Sequence, residues 1–291
     1  MKDLFVVDLM NLAFRGFYSH SELKTSAGVP TGMCYGVVKI LQKILADNAP
    51  NYVVVATDAP GPTFRHGLYP LYKSNRNEKP VDFKAQMGTL YRIISAYGFP
   101  LVEQAGMEAD DIIGSIARQF ATPDVRVTVV SGDKDFMQLV DPNVRLLRVT
   151  NNGNFICDEE GVKAKFGCRP DQVVDVLAIM GDASDTVPGV KGIGPVGAGS
   201  LIQRFGSLEA VYDRLGDRPN NIAPNMALKL LVDKEMAFLS KSLVTIKCDV
   251  PLSFTLDQCA NKGVTDELNS IFKELEFFSL LAGDGYSSFY E

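Results

Sequence analysis

The chain has 291 residues, 46% of them hydrophobic and 22% charged, an ordinary globular composition with room for one large domain or two modest ones. No apolar run approaches the roughly 20 residues that cross a bilayer, the start Met1 to Asp8 lacks the regions of a signal peptide, and two histidines, His20 and His66, exclude a histidine-rich zinc site. Five widely spaced cysteines without a Cys-x-x-Cys predict reduced, mostly buried thiols in the cytoplasm, and the net charge of −6 argues at first against a nucleic-acid partner.

In chain order, Leu4–Val7 and Tyr52–Thr57 are short β-branched apolar runs. Between them Pro30–Asp47 reads as a helix, with Tyr35, Val38, Leu41, Ile44 and Leu45 on one face and Pro30 in the first turn. Gly61 to Lys84 carries five bases (Arg65, Lys73, Arg76, Lys79, Lys84) against two acids, a local charge of +3. Glu108–Phe120 is a second helix with Ile112, Ile113, Ile116 and Phe120 on its apolar side, followed by strands at Val125–Val130 and Val144–Val149. This alternation predicts an α/β fold, a mostly parallel sheet covered by helices. From about Pro170 strand patterns stop, and helices follow at Asp171–Met180, Gly197–Phe205, Ser207–Leu215 and Met226–Leu239. We therefore expect an α/β part over 1–169 and a helical part over 170–291, with no flexible linker between them.

Acids recur at the strand and helix ends of this pattern: Asp8, Asp58, Glu108, Asp110, Asp111, Asp133, Asp135, Asp182 and Asp185. Asp8, Asp58 and Asp133 come at or just past strand carboxyl ends, where ligands bind in open α/β sheets. Gathered carboxylates repel one another unless divalent cations neutralise them. An all-oxygen donor set suits Mg²⁺ or Mn²⁺ rather than zinc, and paired ions of this kind serve in-line displacement at a phosphodiester. Two bound Mg²⁺ would change the net charge from −6 to −2. Within a helix, Glu108 and Asp111 share a face at i and i+3 while Asp110 points aside. Singly, these acids also fit helix first turns and capped loops; it is their joint occurrence that points to metals.

Gly189 to Ala198 contains Gly192-Ile-Gly194-Pro195 between two helical runs. A helix rather than a strand precedes it, which excludes a dinucleotide fingerprint, and no Gly-Lys-Ser/Thr follows. It matches a helix-hairpin-helix turn, whose backbone N–H groups face a DNA phosphate without reading sequence; Lys191, Gly192 and Gly194 are the candidate contacts. Arg65, Tyr72, Lys79 and Lys84 are candidate contacts in the basic segment. The Arg and Lys residues there, Lys73 and Arg76 among them, suit gripping a phosphate or stabilising transition-state charge, and equally suit a solvated basic loop. Phe14 and Arg15 follow Asp8 by one to two helical turns, where an aromatic also suits simple core packing.

Together these blocks resemble the 5′-nuclease family, the N-terminal domain of bacterial DNA polymerase I and the related flap endonucleases. The likeness runs from about Leu4 to Leu281 and includes Thr25-Ser-Ala-Gly-Val-Pro-Thr-Gly32 and Leu275-Glu-Phe-Phe-Ser-Leu-Leu281. It implies a first metal site from Asp8, Asp58, Glu108, Asp110 and Asp111, and a second from Asp133, Asp135, Asp182 and Asp185. It implies Lys73 and Arg76 at the foot of a helical arch (about 72–90) and Phe14 stacking on a base. A helix-hairpin-helix element (about 186–205) would hold duplex, with K⁺ at its turn. The implied activity is a Mg²⁺-dependent 5′-3′ exonuclease and flap endonuclease of replication and repair. It acts on branched, nicked or 5′-flap DNA, RNA 5′ segments included, and as a monomer. Two positions depart from the family: Leu9-Met10-Asn11 follow Asp8 in place of small residues, and Thr186 follows Asp185 where Asn is usual. The chain stops at Glu291, so a free-standing nuclease or an isolated domain is expected. Two rivals are a non-catalytic DNA-junction-binding protein on the same scaffold, which should have lost acids, and a small RNA-cleaving nuclease, which should lack the helical extension. The arch itself, basic and interrupted by Pro80, is expected to be poorly held without DNA.

Overall fold

A computed structural model of the protein describes residues 1–150, 153–216, 222–263 and 265–281. In chain order the elements are β1 (Lys2–Asp8), α1 (Leu9–Ser19), α2 (Gly32–Asn48), β2 (Tyr52–Ala56), α3 (Phe64–Leu68), α4 (Val81–Ala96), β3 (Leu101–Val102), α5 (Ala109–Phe120), β4 (Val125–Val130), β5 (Val144–Thr150) and β6 (Gly153–Cys157). The helices α6 (Glu159–Phe166), α7 (Val173–Met180), α8 (Pro195–Phe205), α9 (Leu208–Gly216), α10 (Pro224–Val232), α11 (Lys234–Val244) and α12 (Asp266–Glu274) follow. Residues 282–291, the end of the expected helical part, lie outside the described residues.

The strands form one sheet in the order β3-β2-β1-β4-β5-β6. All neighbours are parallel except β5 and β6, an antiparallel edge pair. Each face of the sheet is covered, which is why the strands read as continuous apolar runs. Leu4 and Val6 of β1 face α5 and α7 with Val54, Val127 and Val129. Phe5 and Val7 face the opposite way, onto α1, α2, α4 and α12. The strand order reverses at β1, so the carboxyl ends of β1 and β4 border a switch-point crevice.

Local sequence accounts for much of this. Gly16 and Gly36 let α1 and α2 touch backbone to backbone: a Cβ on Gly16 would lie 2.7 Å from the Met33 carbonyl oxygen. Helix α6 starts on an Asp158 cap, whose side chain accepts from the Gly161 N–H, and ends on Gly167 at φ 70°. One expected helix proves to be two. Met226–Leu239 is broken at Asp233, between α10 and α11, where the Asp233 carboxylate turns out to accept the Lys191 N–H at 2.8 Å. The expected arch also takes a different form. It is a set of turns to Asn75, an extended stretch to Pro80 and the first half of α4. Its foot is held, since Lys73 N–H donates to the Asp185 carbonyl at 2.9 Å and Asn75 Nδ2 to the Ala183 carbonyl at 2.7 Å. Beyond Pro80, Phe83 is fully buried.

Candidate active site

Asp8 ends β1 and caps α1. Its Oδ1 accepts the Asn11 N–H at 3.1 Å and its Oδ2 the Ser131 hydroxyl at 2.8 Å. Burial pushes Asp8 up to about 6 despite these donors, with Asp133 and Asp58 adding repulsion. Across the crevice, Gly132 N–H donates to Asn11 Oδ1, Asp133 N–H to Ser131 Oγ, and Asp135 N–H to Asp133 Oδ1, all within 2.9–3.0 Å. The turn after β4 thus aligns the two carboxylates of the Asp-x-Asp sequence. Burial and the Asp133 charge push Asp135 up to about 7, and its Oδ1 is buried with no hydrogen-bond partner. Asp110 is raised well above the carboxylate range by burial, then by Asp133 and Asp8. Asp58, exposed just past β2, accepts the Ala109 N–H at 2.9 Å and so ties β2 to the start of α5.

Cations hold the remaining acids. Lys73 Nζ lies 2.8 Å from Glu108 Oε1 and 3.8 Å from Asp185 Oδ2. Burial works against the Lys73 charge, but Glu108 and Asp185 raise it above the usual lysine range. Arg76 Nε donates to Asp185 Oδ1 at 3.1 Å, and Lys134 Nζ pairs with Asp182 Oδ2. Among the described residues, no three of the carboxylates are gathered closely enough to hold a metal ion as they stand.

Three expected roles change on inspection of the geometry. Arg65 does not face solvent: it is 2% exposed and forks onto Asp111 at 2.7 and 2.8 Å, with Glu108 at 3.2 Å. Asp111 is in turn fully buried and saturated, also accepting the Glu108 N–H at 3.2 Å and the Lys247 N–H at 2.9 Å. Asp110 therefore faces the crevice and Asp111 the interior, the reverse of the expected arrangement. Tyr72 is buried too, its hydroxyl donating to Glu108 at 3.0 Å. A basic, aromatic stretch looked like a DNA contact because its partners, 36 to 46 residues away, carry no local signal. Lys79 sits 5.9 Å from the centre of the Phe83 ring, and Lys84 pairs with Glu78 at 3.0 Å. Sequence reasoning passed over Asn11, Ser131 and Lys134. The signal for the last was present, between the two acids of Asp133-Lys-Asp135.

Phe14 stacks on Phe83 at 4.6 Å between ring centres and lies 6.4 Å from Tyr18; Arg15 is half-buried beside it. Farther along the molecule, α7 and α8 flank the glycine-rich turn. Lys191, Gly192 and Gly194 are exposed there, and Gly194 caps α8 with Pro195 in the first turn. Gly192 has φ 80°, and its carbonyl accepts from Lys229 Nζ at 2.9 Å.

Two family models account for nearly the whole chain: the 5′-3′ exonuclease N-terminal resolvase-like domain over residues 3–167 and the 5′-3′ exonuclease C-terminal SAM fold over 168–267. The chain belongs to the 5′-3′ exonuclease family. Relatives include DNA polymerase I of Caldicellulosiruptor bescii, 37% identical over 98% of this chain and 34% of that protein. DNA polymerase I of Pseudomonas aeruginosa is 38% identical over 94% of this chain and 30% of that protein. The chain thus spans about a third of the curated relatives it matches. The T5 D15 protein, crystallised with metal ions, has the same fold at a TM-score of 0.69 and 22% identity, covering 95% of this chain and 99% of that one. The catalytic core of Rad2 with DNA substrate does so at 0.60 and 16%, over 94% and 87%.

Proposed function

We propose that this chain is a divalent-cation-dependent, structure-selective 5′ nuclease acting on branched, nicked or 5′-flap DNA, RNA 5′ segments included. The observation that carries this reading is the switch-point edge. Asp8, Asp110 and Asp135 crowd there around Asp133, each with raised proton affinity, and Lys73 and Arg76 stand beside them. Asp135 Oδ1, buried without a hydrogen bond and 3.8 Å from Lys134 Nζ, and an all-oxygen donor set suit Mg²⁺, with Mn²⁺ as a substitute. Asp8, Asp58, Glu108, Asp110, Asp133 and Asp135 would hold it, with Asp182 and Asp185 at the margin beside the arch foot; Asp111 supports Glu108 from behind. Bound cations would supply an activated water and offset phosphate charge. T5 D15 is described as a flap endonuclease, in a complex with DNA and metal ions, which supports the reading.

The chain's own residues do the rest. Lys73 and Arg76 rest on Glu108 and Asp185. An incoming phosphate competes for these cations, which then face charge developing on it. The products carry a 5′-phosphate and a 3′-hydroxyl. Selectivity comes from shape: the Lys191–Gly194 turn takes duplex through its backbone, and the segment from Tyr72 to about residue 90 takes the free 5′ end. We assign the cutting chemistry to residues 1–169 and duplex holding to the helices after 170, in a monomer. The test is cleavage of a 5′-labelled flap DNA with Mg²⁺ and with EDTA. Short labelled products with Mg²⁺ alone are expected. Tight binding without cleavage in Mg²⁺ or Mn²⁺ would instead make the chain a junction-binding protein.

A further inference from the structure

A second charged hollow adjoins the acid edge. A cavity of about 620 Å³ is lined by Asn11, Phe14, Arg15, Tyr18, Asp133, Lys134, Arg148 and Lys165 among others. Four of its side chains are cationic and one is acidic. Its position follows from the sheet order. Along the carboxyl edge Asp58 follows β2, Asp8 ends β1, Asp133 follows β4, and Arg148 lies near the end of β5. The arch foot stands on the β2 side of the acids and this hollow on the β5 side.

Arg148 is the informative residue. It is half-buried, yet its Nε is shielded from solvent and has no hydrogen-bond partner among the described residues. The shielded Nε cannot itself bind an incoming phosphate, but the guanidinium it belongs to lines the hollow, and that group is shaped to grip phosphate. Lys165, exposed on α6, adds a second positive charge to the same hollow. The Tyr18 ring is 70% exposed, and lies nearly parallel to Phe14, at 14° between planes. Cations that track a backbone, beside an aromatic face open to stacking, are the elements of a single-strand site.

We propose that Arg148, Lys165 and Tyr18 form a subsite for one nucleotide of single-stranded DNA, immediately beside Asp133 and on the far side of the acids from Lys73 and Arg76. Its phosphate sits between Arg148 and Lys165, and its base lies on Tyr18. A strand crossing the acid edge is then held on both sides of the bond that is cut. The assignment rests on the nuclease reading above.

The test is fluorescence anisotropy in EDTA with a 5′-flap DNA and with a blunt, fully paired duplex. The variants are Arg148→Glu with Lys165→Glu, Lys165→Glu alone, and Tyr18→Ala. Lys262→Glu, which makes the same charge change as Lys165→Glu alone beside the amino-terminal edge of the sheet near Asn51, is the control. For the double variant the flap Kd should rise about tenfold or more, and the slope of log Kd against log salt should flatten by about 0.7 for one lost single-strand phosphate contact. Tyr18→Ala should weaken flap binding without changing that slope, and Lys262→Glu should leave both unchanged. Urea unfolding checks that the variants fold. If the double variant does not, Lys165→Glu alone, at an exposed helix position, should show a smaller shift in the same direction. Wild-type flap affinity in the folded Arg148 and Lys165 variants overturns the subsite, and so does an equal loss on blunt duplex. A wild-type protein that neither binds nor cuts the flap overturns the nuclease reading itself.

Discussion

Thr186 holds φ at 57° and Lys73 at 56°, a region that side chains with a Cβ avoid and branched ones avoid most. The two lie together, since the Lys73 N–H donates to the carbonyl of Asp185, the residue before Thr186. Asn tolerates this conformation better than Thr, which gives a physical reason for the Asn usual at this place in the family. The Thr186 hydroxyl is also buried without a partner. Thr186→Asn should therefore raise stability by about 1 kcal/mol, read from urea unfolding. Lys73 shares this conformation, with its ammonium 2.8 Å from Glu108 Oε1. Lys73→Ala should cut the single-turnover rate by about 10²–10³-fold, as removal of one charge-stabilising donor does. Its Kd should change little, because one phosphate contact is a small part of the salt-dependent binding energy. A several-hundred-fold loss of affinity at an unchanged saturated rate would make Lys73 a docking residue instead.

At the scale of elements, the strand ends were legible and the rotation of α5 was not. Asp8, Asp58 and Asp133 end apolar runs whose length and composition mark parallel strands, so their convergence follows from topology. Whether Asp110 or Asp111 faces the crevice depends on where Arg65 lies. Nothing within the helix says that a guanidinium from α3 will enter the core beneath it. The break at Asp233 was hidden for the same reason, since its cause is the distant Lys191 N–H. The edge strand β6 is short and two of its apolar residues, Phe155 and Ile156, are exposed, so it lacks the pattern of a buried strand. The Arg65 reassignment has a measurable consequence. Arg65→Ala leaves Asp111 charged and buried without its partner, and should destabilise the protein by about 3–5 kcal/mol in urea unfolding. A folded Arg65→Ala protein of unchanged stability but weakened DNA affinity would restore the surface role.

For the whole molecule, the crowded acids set a pH dependence. Asp8 titrates at about 6 and Asp135 at about 7 when folded, against about 3.9 for an unfolded aspartate. Between those values the folded state binds more protons than the unfolded one, so stability falls as pH rises through about 4 to 7. In EDTA, thermal unfolding should come at a lower temperature at pH 8 than at pH 5.5. Mg²⁺ should recover more of that loss at pH 8, where the carboxylates are ionised and bind it best. A melting temperature that rises over this range in EDTA would show that the acids do not repel one another in the fold.

The segment leaving α11 is laced to the acid edge. Arg65 donates to the Leu243 and Thr245 carbonyls at 2.7 and 2.9 Å, and Lys247 N–H to Asp111 at 2.9 Å. Gln138, one turn past Asp135, donates to the Val244 carbonyl at 3.0 Å and accepts the Ile246 N–H at 2.9 Å. Helix α11 also packs along α7, which leads into the Lys191–Gly194 turn. On the proposed function, the lacing is a ruler between the turn assigned to duplex and the acid edge assigned to cleavage. Cleavage should then fall at a fixed count of nucleotides from the branch, whatever the sequence. Gln138→Ala removes one lace and no acid, so it should blur that count, spreading one sharp product band on a sequencing gel into neighbouring ones.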